Sequence, residues 1–325
     1  RLPGLVNLVD MAECGCSRWM LVTSYSDRQP ALFWLYDRDN DRLEAIGRSH
    51  PQIDPRRMAR RDFVQFNARD GLAIPLHVTR PAGKGPWPTV VLVHGWMMTG
   101  AVWNRTLRLM DRDRASYLVV DLRGVGGSPS PDGPFDLGTL ADDVWHTIRA
   151  ADVTDPVVVG HSMGGQVAQL VAARHPGEVA GLVLLNSVPA SGLALPEDAL
   201  QLFASAAADV EKRCTILDAA TLALTPDERA ELVGIASTIS PQAVQGMMNA
   251  WHHGGIEGEL GAIDAPTLVI SSEDPFLPPD FMDAMITSKI RGARREHIAS
   301  AGHYPLVERP AETAAVLERF LTHIA

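Results

Sequence analysis

The chain has 325 residues, of which 46% are hydrophobic and 21% are charged, and its formal net charge is −10. This composition is typical of a globular protein with a sizeable core, built as one large α/β domain with some additional structure or as two small domains. The acidic balance argues against a nucleic-acid-binding surface. No run of about 20 apolar residues is present, so the sequence predicts no membrane span.

Residues 1–61 have a different sequence pattern from the rest of the chain. Three short runs rich in β-branched and aromatic residues, at 19–25, 31–36 and 43–46, are separated by polar turns. This pattern predicts a β-meander. Three strands are marginally stable alone, so we expect them to pack on the main domain or on another chain. The sequence thus predicts an N-terminal β-segment with its linker at 1–61 and a larger domain at 62–325, in which all the candidate catalytic residues discussed below lie.

From residue 62 onward, apolar runs of buried-strand length alternate with helical stretches. Two runs flank an Asp-Gly turn and predict a hairpin. Together the runs predict an α/β fold with a mostly parallel sheet and helices on both faces. Residues 190–262 keep helical spacing without a strand, which predicts a helical insertion over the carboxyl ends of the strands. The predicted strands are 63–66, 74–78, 89–93, 117–120, 157–159, 181–185 and 267–270.

The pentapeptide GHSMG at 160–164 stands between one of these strands and an amphipathic helix. Small residues on both sides of a serine allow a sharp strand-to-helix turn that exposes the hydroxyl at the tip of the sheet. The same turn aims the free N–H groups at the start of the helix toward the atom that the serine attacks. Ser162 is therefore the candidate nucleophile.

A serine hydroxyl needs a general base, and the base needs a third group that fixes its tautomer. His303 is the candidate base, because it stands in a Gly-His-x-Pro loop between a predicted last strand and the C-terminal helix. His161 is adjacent to Ser162, and neighbouring side chains in such a turn point apart. The histidines at 252–253 fall in the predicted insertion.

Asp274 is the candidate acid, since it follows directly on the strand at 267–270. The resulting chain order Ser, Asp, His is one of the known orders for such a triad. Glu273 competes for the same role. Asn186 occupies the other position at which the acid could follow a strand, but an amide does not stabilise an imidazolium as a carboxylate does.

Ester hydrolysis also needs N–H donors for the developing oxyanion. The N–H of Met163, directly after the nucleophile, is one candidate. Trp96 follows His94 and Gly95 at the end of another strand, and its N–H is the second candidate.

The sequence predicts neither a cofactor nor a metal. The glycines of the turn at 124–128 do not match the dinucleotide-binding spacing, and Pro129 and Pro131 prevent an immediate helix. Cys14, Cys16 and Cys214 are odd in number and lack the second ligand pair of a structural zinc site.

The chain starts at Arg1 rather than at methionine, so we expect that a preceding segment has been removed. A cytoplasmic location is favoured, and an export signal lost with that segment is the alternative. The oligomeric state stays open.

Residues 62–325, about four-fifths of the chain, resemble α/β-hydrolases of the lid-bearing esterase, lactonase and perhydrolase type. The resemblance implies a lid at about 190–262 and a carboxylic ester or lactone as a small-molecule substrate. It also implies an acyl-enzyme formed on Ser162. The motifs that carry the resemblance are HGW at 94–96, DLRGVG at 121–126, GHSMGG at 160–165, EDP at 273–275 and GH at 302–303.

A second resemblance concerns the N-terminal segment. Residues 26–27 with their flanking strands, and residues 66–75, are similar to the prolyl-oligopeptidase family. The chain departs from that family in having Met163 after the nucleophile instead of tyrosine, and Trp96 where that family has Gly-Pro. The alternative functions are therefore an aminopeptidase or acyl-peptide hydrolase, and a non-catalytic binding protein of the α/β-hydrolase fold.

Overall fold

The computed structural model describes residues 5–10, 18–26, 28–51, 55, 60–67, 73–80, 88–128 and 132–324. The chain divides into two compact units, one of residues 1–62 and 79–86 and the other of residues 63–78 and 87–325. The predicted Asp-Gly turn, the cysteines at 14 and 16, and the prolines at 129 and 131 lie outside the described residues. The functional division at residue 62 stays a prediction.

The first unit contains a four-stranded antiparallel sheet in the order β1-β2-β3-β4. The sequence predicted only three strands here. The extra strand, β1, is a short exposed run that pairs with β2, and five residues with mixed polarity give no periodic signal of their own. The strands are β1 (Val6–Asp10), β2 (Trp19–Tyr25), β3 (Leu32–Asp37) and β4 (Arg42–Arg48).

The second sheet has eight strands in the order β12-β11-β10-β9-β7-β8-β6-β5. All five pairings from β12 to β8 are parallel. Strands β9, β10 and β11 are buried along their whole length, which explains their uninterrupted apolar sequences. The strands are β5 (Arg60–Asn67), β6 (Ala73–Arg80), β7 (Thr89–Val93), β8 (Ser116–Val120), β9 (Val157–His161), β10 (Gly181–Leu185), β11 (Thr267–Ser271) and β12 (Arg294–His297).

Helices flank this sheet, and four of them, α4 to α7, form the predicted insertion between β10 and β11. Short 3₁₀ turns also lie at Gly100–Trp103, Glu257–Ala262 and Thr287–Lys289. The helices are α1 (Asn104–Leu107), α2 (Leu137–Ala150), α3 (Met163–Arg174), α4 (Glu197–Ser205), α5 (Val210–Ala220), α6 (Pro226–Ser237), α7 (Pro241–His253), α8 (Pro279–Met285), α9 (Pro305–Glu308) and α10 (Pro310–Ile324). Among the described helices, none is both long and apolar enough to cross a bilayer.

The order of the strands reverses at β7, which has β8 on one side and β9 on the other. In an open α/β sheet such a reversal opens a crevice at the carboxyl ends of the two strands. The segment that follows β7 and the turn that follows β9 therefore meet there. The predicted fold, a mostly parallel sheet with flanking helices and an N-terminal antiparallel sheet, is confirmed.

Candidate active site

Ser162 stands at the tip of the turn between β9 and α3, with φ 56° and ψ −123°. This region is rarely occupied by a residue other than glycine and stores strain. The turn is tight: a Cβ atom on Gly160 would lie 2.2 Å from the Gly164 carbonyl oxygen, and one on Gly164 would lie 2.4 Å from the His94 oxygen. The Ser162 side chain makes no capping hydrogen bond to α3. Its hydroxyl is therefore not used by the helix.

The turn after β7 packs against this serine. A Cβ atom on Gly95 would lie 2.9 Å from Ser162 Cβ, so only glycine fits there. The His94 Nε2 accepts the Leu122 N–H at 3.0 Å, and its Nδ1 lies 2.8 Å from the Gly95 oxygen. These contacts assign the proton to Nδ1, and burial lowers the pKa of His94. His94 is thus a neutral residue that holds the turn in place.

The two predicted N–H donors stand in the two turns that meet here, Trp96 after β7 and Met163 after β9. Met163 is the first residue of α3, so its N–H has no acceptor within the helix. The backbone N–H of Trp96 makes no hydrogen bond among the described residues. The Trp96 indole is fixed separately, because its Nε1 donates to the Val244 oxygen at 2.7 Å.

His303 is paired with Asp274. The His303 Nδ1 lies 2.5 Å from Asp274 Oδ2, and the Asp274 side chain is fully buried. The other carboxylate oxygen accepts the Phe276 N–H at 2.8 Å, which fixes the carboxylate. A proton on Nδ1, donated to Asp274, leaves Nε2 as the basic nitrogen. Glu273 is half-exposed and accepts the Ala301 N–H at 3.2 Å instead.

The structure also brings His161 next to His303, a contact that the sequence did not suggest. The His161 Nε2 donates to the His303 carbonyl oxygen at 2.8 Å, and the two ring centroids are 5.0 Å apart. Burial, with a smaller effect of the neighbouring His303, holds the pKa of His161 well below its usual value. His161 is therefore neutral and supports the main chain of His303.

Asn186 supports the same loop. Its Nδ2 donates to Ser272 Oγ at 2.7 Å and to the Gly302 oxygen at 3.1 Å, and Ser272 Oγ donates to the same oxygen at 2.6 Å. The alternative acid position thus holds an amide that binds a carbonyl group. A third supporting residue, Glu308, accepts N–H groups of the same loop. It lies just before the predicted C-terminal helix, and no motif in the sequence singled it out.

Ser162 and His303 both line a cavity with about 470 Å³ of empty space. Phe203 of α4, Ile216 of α5 and Trp251 of α7 line it from the insertion, and the Phe203 ring stacks on that of Trp96 with centroids 5.4 Å apart. The other residues that line the cavity are Trp96, Met97, Val188, Leu193, Ala220, Phe276, Leu277 and Tyr304. Burial raises the pKa of Tyr304, so its phenol is neutral and the walls carry no fixed charge.

The glycine-rich turn at 124–128 serves the fold. The Asp121 carboxylate accepts the N–H groups of Gly100 at 2.7 Å and Gly127 at 2.9 Å. A Cβ atom on Gly126 would lie 2.2 Å from that carboxylate, so this position requires glycine for the packing of the turn. Within the described ranges, no three His, Cys, Asp or Glu side chains converge in the way that a metal site requires.

Comparisons with known proteins agree with this architecture. A pimeloyl-[acyl-carrier protein] methyl ester esterase of Neisseria meningitidis is 29% identical over 248 residues, which are 71% of this chain and 92% of that protein. An esterase of Exiguobacterium antarcticum superposes with a TM-score of 0.73 at 20% identity, covering 80% of this chain and 99% of that one. An enzyme described as degrading N-acyl homoserine lactones has a TM-score of 0.66 at 26% identity, covering 80% and 100%.

The resemblance of the N-terminal segment to prolyl oligopeptidases stays a prediction.

The family model described as alpha/beta hydrolase fold matches residues 88–310, more than half of the chain. That match, together with the sheet order and the strand-to-helix turn at Ser162, shows that the chain belongs to the α/β-hydrolase family.

Proposed function

We propose that the protein is a serine hydrolase that cleaves carboxylic esters or lactones through an acyl-enzyme. The observation that supports this most strongly is one cavity lined by Ser162 and by His303, whose ring is paired with the buried Asp274. In this proposal Ser162 is the nucleophile, His303 the general base and Asp274 the acid that fixes its tautomer. The N–H groups of Trp96 and Met163 form the oxyanion hole.

The reaction follows from these positions. Ser162 Oγ attacks the ester carbonyl carbon while His303 Nε2 takes the hydroxyl proton. The carbonyl oxygen becomes an oxyanion that accepts hydrogen bonds from Trp96 and Met163. His303 then gives the proton to the leaving alcohol, and the acyl group stays on Ser162. A water molecule then attacks the acyl carbon while His303 takes its proton, and His303 returns this proton to Ser162 Oγ as the acid leaves.

The cavity favours a neutral, largely apolar substrate of small to medium size. Its walls are mostly aromatic and aliphatic, and no aspartate, glutamate, lysine or arginine is among the described residues that line it. Relatives named as esterases and as a lactone-degrading enzyme support the same class of substrate. The helices at 190–262, which supply Phe203, Ile216 and Trp251 to the walls, would serve as its lid.

An aminopeptidase or acyl-peptide hydrolase is the second candidate, supported by the four-stranded N-terminal sheet and the sequence resemblance there. Holding the free α-ammonium of a peptide requires an acidic side chain in the pocket. No aspartate or glutamate is among the described residues that line the cavity. This favours ester substrates over the free peptides of an aminopeptidase, whereas acyl-peptides, which have no free ammonium group, are separated by the experiment below.

The proposal is tested with a fluorophosphonate probe and two families of substrates. We expect the probe to label Ser162 in the native protein, as mapped by mass spectrometry, and Ser162→Ala to abolish labelling. Turnover of p-nitrophenyl esters graded by acyl length should exceed turnover of aminoacyl anilides. The reverse preference would favour the peptidase. Absence of both labelling and turnover would instead favour a binding protein of this fold.

A further inference from the structure

Glu308 is a buried carboxylate bound to two separate stretches of main chain. Glu308 is only 4% exposed. One oxygen, Oε1, accepts the N–H groups of Gly302 at 3.0 Å and Tyr304 at 3.2 Å. The other, Oε2, accepts those of Leu222 at 2.8 Å and Ala223 at 2.9 Å. One carboxylate thus joins the loop of His303 to the segment that follows α5.

Burying a carboxylate is costly unless its charge is met by donors. Four backbone N–H groups meet that requirement, and no ion pair to Glu308 is found in the part of the chain that the structure describes. Hydrogen bonds to an ionised group are about twice as strong as those between neutral groups. The four contacts therefore hold both segments firmly to one point.

The same two segments touch directly. The His303 N–H donates to the Ala220 carbonyl oxygen at 2.7 Å. A Cβ atom on Gly302 would lie 2.4 Å from that oxygen, so the two chains are in close contact there. Ala220 and Ile216 of α5 line the cavity. The segment bound by Glu308 is therefore continuous with a wall of the substrate pocket.

We propose that Glu308 is a positioning residue, which fixes the main chain of His303 and couples it to the pocket wall formed by α5. Its effect on catalysis rests on the proposed function, in which His303 is the base. The coupling between the two segments does not depend on that function.

Glu308→Gln tests the proposal with little change in size. The glutamine side chain has one acceptor oxygen, which can serve only one of the two pairs of N–H groups. Its NH₂ group must face the other pair, which then has no acceptor. We expect amide exchange of residues 302 and 304 and of residues 222 and 223 to become faster by on the order of tenfold in at least one pair, with a smaller increase in the other. We expect kcat for a p-nitrophenyl ester to fall by on the order of 10²-fold, with KM changing much less.

Glu312→Gln is the matched control, because Glu312 is exposed in the first turn of α10. It should leave exchange and kcat at the wild-type values. If Glu308→Gln showed both wild-type exchange at the four amides and a wild-type kcat, the proposal would be overturned. Faster exchange with unchanged kcat would leave the coupling standing and overturn the positioning role.

A second measurement needs no variant. In the wild-type protein, the amides of residues 222, 223, 302 and 304 should share one protection factor, because they open together. A difference of more than about tenfold between the protection factors of the two pairs would overturn the coupling. Failure of the fluorophosphonate to label Ser162 would instead overturn the proposed function and leave the exchange result unaffected.

Discussion

The main chain at Gly95 packs directly against Ser162, since a Cβ atom on Gly95 would lie 2.9 Å from Ser162 Cβ and 3.1 Å from His161 Nδ1. An added methyl group must therefore move the turn that carries the Trp96 N–H. For Gly95→Ala we expect kcat to fall by on the order of 10²-fold, which is typical of losing one oxyanion donor. Steady-state kinetics on a p-nitrophenyl ester measure this. Gly234→Ala, at a position with no neighbour within 4 Å, should leave kcat unchanged, and an unchanged kcat in Gly95→Ala would contradict the assignment.

Strain at Ser162 has a measurable consequence for stability. Its φ of 56° is costly for alanine as for serine, and it is freely available to glycine. Ser162→Ala and Ser162→Gly should both lose activity by on the order of 10⁴–10⁶-fold. In urea unfolding, however, the glycine variant should be the more stable of the two by about 1 kcal/mol.

Ser237 provides the matched comparison, because it closes α6 in an ordinary helical position. There alanine should be more stable than glycine by about 0.5–1 kcal/mol. The same sign of the difference at both positions would show that the turn at Ser162 is not strained.

Asp274 and Glu273 are neighbours in sequence, and only Asp274 contacts the ring of His303. Asp274→Asn should lower kcat by on the order of 10³–10⁴-fold, because the amide favours the wrong histidine tautomer. Glu273→Gln should lower kcat far less, since its carboxylate accepts the Ala301 N–H and lies 3.7 Å from His297 Nε2 rather than on the ring of His303. The two variants are compared by kcat on one ester at one pH. If Glu273→Gln proved the more damaging, Glu273 would be the acid.

Two buried histidines should make the protein sensitive to acid. Burial lowers the pKa of His94 and lowers that of His161 further. At pH values between these lowered pKa values and about 6.5, the unfolded chain binds protons that the native protein excludes. The free energy of unfolding should therefore fall as the pH drops below about 6.5, by up to about 1.4 kcal/mol per pH unit for each histidine. Above that pH this effect is absent.

His161→Gln isolates one of these histidines. Urea unfolding between pH 5 and pH 7.5 should show a shallower dependence on pH in this variant, by up to one bound proton. The slope is compared rather than the absolute stability, because the substitution also removes the hydrogen bond to the His303 carbonyl group. Identical slopes would mean that His161 takes up a proton in the native protein.

The sequence predicted the sheet and the turn at Ser162 because both depend on local pattern. Apolar runs mark buried strands, and small residues around Ser162 mark the sharp turn. The contacts that support His303 have no such pattern. Glu308 reaches Leu222 across 86 positions, and His161 reaches His303 across 142. Both end on main-chain groups, which every residue carries, so the sequence offers no distinctive partner to look for.

The insertion between β10 and β11 has a consequence for how such a protein diversifies. The proposed catalytic residues follow the ends of separate strands, whereas Phe203, Ile216 and Trp251 reach the cavity from one uninterrupted stretch of chain. A single exchange of that stretch would replace much of the pocket wall and leave the sheet intact. Under the proposed function, the substrate preference could thus change without any change in the catalytic residues. The new stretch would have to keep the two backbone N–H groups that bind Glu308.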